Sequence, residues 1–188
     1  MKRFAMLIVA TVAVVGIFAE QASAASPHFK GRNPIAFTDD GLTLSGTASY
    51  AGLGNFDSLQ VLTATGNTAS TCTNQGGNTA PGQNPAPVTV VGETPIPAGD
   101  IKNGNVSITT STAAPVTPVP GAPGCPNPGW TEDINTVSFT TAKIQLFQDA
   151  NADNVFQPNE LVLTANCTFS PPTSNGSVPS SGFTCTTA

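Results

Sequence analysis

The chain predicts an all-β fold: an antiparallel β-sandwich, about eight strands, with Ig-like or Greek-key connections. Three observations carry that expectation. Apolar and polar residues alternate with period two in segment after segment, clusters of Gly, Pro and Asn separate the segments, and no 3.6-residue pattern appears after the first 25 residues. In "GLTLSGTASY", Leu42, Leu44, Gly46 and Ala48 share one side and Thr43, Ser45, Thr47 and Ser49 the other, as in a strand with one dry face. "SLQVLTATG" comes next, across the Gly-rich turn "AGLGN". "PVTVVG" and "NVSITTS" come after it, divided by "IPAGDIKNG". In "INTVSFTTAKIQLFQ", Val137 and Phe139 have one parity and Ala142, Ile144 and Leu146 the other. That slip near Thr140 and Thr141 predicts a β-bulge or a crossing between sheets. "ELVLTANCTF" alternates cleanly, and "GFTCTT" closes the chain with Phe183 and Cys185 on a shared face.

The Pro/Gly-rich segments 74–87 and 113–128 interrupt this pattern, and structureless loops of such length are uncommon inside compact domains. They read either as extended edges tied down by a disulfide or, for the second, as a linker between two small domains. The portion after residue 128 is too short to build a sandwich alone, so residues 25–188 are expected to form a single domain.

Lys2 and Arg3, the apolar run from Phe4 to Ala19, and the small residues Ala22 and Ala24 in "QASAAS" have the form of a signal peptide, residues 1–24, cut after Ala24. The apolar run is shorter than the roughly 20 residues a spanning helix needs. The expected location is therefore extracellular or periplasmic, with no membrane attachment after cleavage. The formal charge of −5 becomes −6 when two positive charges and one negative leave with that leader. Lys30, Arg32, Lys102 and Lys143 are too scattered to form a basic stripe, which argues against nucleic acid as a partner.

Cys72, Cys125, Cys167 and Cys185 make an even count in an exported chain and predict two disulfides. Three pairings are open. Cys167–Cys185 is favoured because the two lie on strands joined by one loop, and Cys72–Cys125 because it ties two loops that need anchoring. Zinc is disfavoured, since there is no CxxC pair and His28 is the only histidine.

"DANADNVFQPNE", residues 149–160, carries oxygen-bearing side chains at its first, third, fifth, ninth and twelfth places. A hard cation such as calcium takes six to eight oxygens on a flexible arc. Asp149, Asn151 and Asp153 supply side-chain oxygens, Val155 its carbonyl, Gln157 a direct or water-mediated oxygen, and Glu160 a bidentate carboxylate. The sixth place needs positive φ, and there Asn154 stands where Gly is usual. The competing reading is a plain polar turn, for which Asp and Asn are also suited.

"IQLFQDANADNVFQPNEL" resembles the calcium loop of the B-type repeats of Gram-positive surface adhesins, in which a strand runs straight into such a loop inside a β-sandwich. The resemblance implies Asp149, Asn151, Asp153, Gln157 and Glu160 as ligands of a structural, non-catalytic calcium. It departs from the family pattern at Asn154 and in the lateness of the loop. "NTAPGQNPAPVTV" and "GCPNPGWT" are similar to segments of uncharacterised exported bacterial proteins, a likeness that implies no function.

Catalytic constellations are sparse. With one histidine there is no Ser-His-Asp or Cys-His set. The pairs Asp39/Asp40 and Glu132/Asp133 are adjacent, so on strands their side chains would point to opposite sides; both look like loop residues. Trp130, with Tyr50, could stack on a sugar, although a lone Trp beside a Pro/Gly loop more often plugs a sandwich edge. The sequence thus predicts a non-enzymatic binding or structural module, for which a cell-surface protein and a glycan are candidate partners. The alternative is a secreted carbohydrate-binding or carbohydrate-active protein using Trp130 and Tyr50.

Overall fold

The alternating segments pair into two antiparallel sheets that bury their apolar faces against each other. A computed structural model describes residues 26–82, 86–119, 124–125 and 127–188. The leader expected at 1–24 lies outside them, as do residues 83–85 and 120–123 and residue 126 of the two Pro/Gly-rich segments. The first sheet holds β1 (His28–Phe29), β2 (Ile35–Asp39), β3 (Leu44–Ala51), β7 (Val106–Ser111) and β10 (Gly176–Val178). The second holds β4 (Ser58–Asn74), β5 (Thr79–Pro81), β6 (Pro87–Ile96), β8 (Trp130–Gln148), β9 (Leu161–Phe169) and β11 (Phe183–Thr187). Among the described residues there are thus eleven strands where the sequence predicts about eight. The excess comes from pieces of two or three residues (β1, β5, β10), too short to show any alternation. The strand order is β10-β2-β3 with β7 and β1 also on β3, and β11-β9-β8-β4 with β6 and β5 also on β4. That arrangement is sandwich-like, without being specifically the Ig-type one.

Parity decides which side chains go in. Leu44, Ala48 and Tyr50 of β3 face Leu62 and Ala64 of β4, and Phe139, Ile144 and Leu146 of β8 complete the central layer; all are buried. Phe37 of the first sheet meets Phe169 and Phe183 of the second edge-on, each at 5.1 Å between ring centres, an arrangement that aromatic quadrupoles favour. The opposite parity carries hydroxyls. Ser45 pairs with Ser111 at 2.8 Å, Thr47 with Thr109 at 2.7 Å and Thr65 with Thr89 at 2.9 Å across the outer faces. The second sheet bears a continuous row, Thr89, Thr65, Thr141, Thr168 and Thr184, one from each of five strands. Cross-strand Thr pairs hydrogen bond and fit the pleat, so the chain keeps its outer surface wet with few charges.

The parity slip in β8 is a bulge at Thr140: Thr65 pairs with Thr141 and Gly66 with Phe139, which leaves Thr140 unopposed. A second irregularity separates Thr136 from Ile134. β8 pairs with β9 only from Thr141 to Phe147. Beyond the bulge its free edge turns to the first sheet's connections. The Val137 N–H donates to the Gly41 carbonyl at 2.7 Å, and Phe139 exchanges bonds with Thr173, through its backbone N–H and its hydroxyl, at 2.9 Å each. The Thr173 hydroxyl donates in turn to the Asp39 carboxylate, whose other oxygen accepts the Gly41 N–H at 2.8 Å. Asp39 is therefore a buried hinge pin between the sheets. On the other side the sheets touch at Gly92, where an added Cβ would lie 2.0 Å from the Ser111 carbonyl oxygen; only glycine permits that approach.

The disulfides are Cys72–Cys125, separated by 53 residues, and Cys167–Cys185, separated by 18. Cys167 and Cys185 are direct cross-strand partners on β9 and β11. Cys72 lies near the end of β4, in the arm that β4 and β8 extend past the shorter strands of the first sheet.

Candidate functional site

Asp149 comes directly after the last residue of β8 and is almost wholly buried, with its N–H held by the Asp57 carbonyl at 2.9 Å. Its carboxylate folds back over the turn it begins. One oxygen accepts the Asp153 N–H at 3.1 Å and the other the Asn154 N–H at 2.8 Å. Asn151 Oδ1 also accepts the Asp153 N–H at 3.0 Å, and Asp153 Oδ1 accepts the Val155 N–H at 2.8 Å. Each oxygen-bearing side chain thus captures backbone N–H groups two to five residues ahead, the local competition with strand pairing that makes Asp and Asn end a ladder. Asn154 has φ +61°, the left-handed conformation the sixth place requires; Ala152 also takes positive φ, at +57°.

The far end of the loop closes by a reciprocal cap. Pro158–Glu160 form one 3-10 turn, the Glu160 carboxylate accepts the Gln157 N–H at 2.9 Å, and the Gln157 carbonyl accepts the Glu160 N–H at 3.0 Å. Glu160 is buried. Asp153 Oδ2 accepts the side-chain amides of Asn151 at 3.1 Å and Gln157 at 3.2 Å. The side chain of Val155 is exposed. Phe156 lies over a cleft of about 210 Å³ lined also by Asp57, Ile96, Pro97 and Asp149. Asp57, which no loop motif marks, joins three connections there: its carboxylate accepts the Ala98 N–H at 2.7 Å while its carbonyl holds Asp149.

The oxygen set suits calcium in kind. In this geometry its oxygens are engaged by the loop's own N–H and amide groups. Among the described residues no three Asp, Glu, His or Cys side chains gather closely enough to hold a metal ion. Asp149 keeps free lone pairs, since each of its oxygens accepts one N–H. No Lys, Arg or His side chain is hydrogen bonded to Asp149 or Glu160 among the described residues.

The aromatic pair is not a pair. Tyr50 is fully buried, and its hydroxyl donates to Gln60 Oε1 at 2.7 Å. Gln60 Nε2 then donates to the Gly46 carbonyl at 3.2 Å and to Thr110 Oγ1 at 2.9 Å. Burial pushes the Tyr50 phenol well above its ordinary range. Its ring lies 5.4 Å from that of Phe29. Tyr50 is therefore a core residue with a satisfied polar tip, and the expectation that it stacks on a ligand beside Trp130 is corrected. Trp130 opens β8 in the other sheet and is half-buried.

The acid pairs are placed mainly on strands, where loops are expected from the sequence. Asp39 ends β2 and points inward, whereas Asp40 points out and accepts the Ser45 hydroxyl at 2.8 Å. Glu132 and Asp133 both belong to β8, the first buried and the second exposed. Neither pair can share one substrate. His28 is exposed on β1, with Nδ1 2.8 Å from the Ser26 carbonyl.

Two features escape the sequence reading. Gln60 shares the parity of Ser58, Leu62 and Ala64, so the pattern alone marks it as inward-facing. Glu132 gives no such signal, because the irregularity between Ile134 and Thr136 breaks the parity between it and Phe139. No protein-family model, curated protein or solved structure significantly matches this chain.

Proposed function

We propose that the chain is an exported, non-catalytic β-sandwich module, stapled by two disulfides and locked at one end by a calcium ion in the 149–160 loop. The observation that carries the metal reading is the turn itself: Asp149 is drawn inside it, Asn154 takes positive φ at the sixth place, and Glu160 is buried at the twelfth. Two buried carboxylates with no basic side chain bonded to them among the described residues are costly unless a cation compensates them. Asp149, Asn151, Asp153, Gln157, Glu160 and the Val155 carbonyl would hold the ion. Its task would be to fix the register in which β8 hands over to β9. The opposed directions within each acid pair support the non-catalytic reading.

With three carboxylates the site belongs to the weak extracellular class, Kd roughly 10⁻⁴ to 10⁻³ M. At 10 mM calcium the folded state should gain about 1.4–2.7 kcal/mol by mass action, raising the unfolding midpoint by several degrees relative to excess chelator. Glu160→Gln should remove most of that rise. Identical midpoints with calcium and with chelator would sink the metal reading. The carbohydrate alternative retains Trp130 alone, since Tyr50 is internal.

A further inference from the structure

We infer that the cleft beside Trp130 binds a small organic cation, an ammonium group on a short apolar stem, with Glu132 as its counter-charge and Trp130 as its aromatic wall. This deepens the reading of the chain as a binding module and is independent of the calcium loop.

Trp130 and Glu132 are two residues apart on β8, so their side chains leave the same face. Opposite them on β4 stand Asn74 and Cys72. The Cys72–Cys125 bond holds the Pro-rich connection against the end of this arm. Between the two a cleft of about 360 Å³ remains, with Thr117, Pro118 and Cys125 on one side and Trp130 and Glu132 on the other. Glu132 is only 8% exposed, and its Oε2, sealed from solvent, has no hydrogen-bond partner among the described residues. Thr68 and Ser70, on the same arm of β4, also bear buried oxygens without partners among the described residues.

A buried carboxylate oxygen left unpaired is expensive, and an orphaned group of this kind calls for an explanation. Among the described residues no basic side chain lines the cleft. A bare metal ion is a poor occupant, because no further His, Cys or acidic side chains gather with Glu132 among the described residues. A neutral sugar would donate hydrogen bonds and leave the charge uncompensated. An ammonium group does both: it donates to the Glu132 carboxylate at the cleft wall, neutralises it and gains from the indole face, the best of the aromatic partners for a cation. The apolar stem then lies along Pro118.

Trp130 is the only tryptophan of the chain, so indole emission reports on this cleft alone. The purified protein is titrated at fixed ionic strength with n-butylammonium, choline, a short lysine-containing peptide, n-butanol and glucose. The cations should change the emission saturably and n-butanol should not. Saturation by the peptide at lower concentration than n-butylammonium identifies a polypeptide lysine as the source, and the reverse identifies a free amine. Glu132→Gln should weaken cation binding at least about tenfold. It should also raise the unfolding midpoint of the ligand-free protein, because the uncompensated buried charge is gone. Equal responses to n-butylammonium and n-butanol, saturation by glucose in place of the cations, or undiminished cation binding in Glu132→Gln would each overturn the inference. Should that variant fail to fold, the comparison of n-butylammonium with n-butanol on the unaltered protein decides alone. A flat response to every probe removes this site and leaves the module reading to the calcium midpoint.

Discussion

Replacing Cys72 and Cys125 together by serine should lower stability by about 4 kcal/mol, the chain-entropy value for a closed loop of 53 residues. The corresponding value for Cys167–Cys185, which closes 18 residues, is about 3 kcal/mol. The difference in placement matters more than the difference in loop length. Cys167 and Cys185 sit opposite each other in a ladder that β9 and β11 already form from Phe183 to Thr187. Cys72 belongs to an arm that extends beyond the first sheet, and the described residues of the Pro-rich connection over it make few backbone bonds. Its clearest tie is the Ala113 N–H to the Val91 carbonyl, at 2.9 Å. Loss of Cys72–Cys125 should therefore also open that connection locally, exposing Trp130 and shifting its emission to the red, while the far-ultraviolet strand signal persists. Urea unfolding of the double variant beside the parent measures the first effect. A midpoint within error of the parent would show that the arm is held by packing alone.

Phe37→Ala is the second large effect, a loss of about 3–5 kcal/mol. Phe37 is 1% exposed and is the one ring of the first sheet that meets both Phe169 and Phe183 of the second. Truncation removes the transfer energy of the ring and leaves a cavity between two sheets whose separation is fixed elsewhere, so collapse cannot fill it. On one side Asp39, two residues along the same strand, holds the spacing through Thr173. On the other the contact of Gly92 with Ser111 holds it. A cost below about 1 kcal/mol in equilibrium unfolding would mean that the sheets close up and that these two junctions are not rigid.

Legibility in the sequence depends on whether a feature is local. Period two marks β3, β4 and β9 because one face of each is dry along its length, and the parity slip marks the bulge at Thr140 because each residue in a strand must choose a side. The short strands β1, β5 and β10 are invisible: two or three residues cannot alternate, and their pairing is set by partners already in place. Long-range polar junctions are equally hidden. Asp39 meets Thr173 across 134 residues and Gln60 meets Thr110 across 50, and nothing near either residue announces its partner. Tyr50 reads wrongly as a ligand-stacking aromatic for the same reason, since the Gln60 amide that satisfies its hydroxyl lies on another strand of the other sheet. In the 149–160 loop the spacing of oxygens and the positive φ of Asn154 come from residue type, whereas the use of those oxygens by the loop's own N–H groups is a property of the folded turn.

The calcium lock is the central functional claim, and a calcium titration monitored by amide resonances tests it at the loop itself. Asp153, Asn154 and Val155 donate their N–H groups to the carboxylates and the amide oxygen that the ion would recruit. Their signals should move saturably at submillimolar to millimolar calcium, together with those of Gln157 and Glu160, while resonances of β3 and β7 stay fixed. Unmoved Asp153, Asn154 and Val155 signals at several millimolar calcium would contradict the claim and leave residues 149–160 as a polar turn.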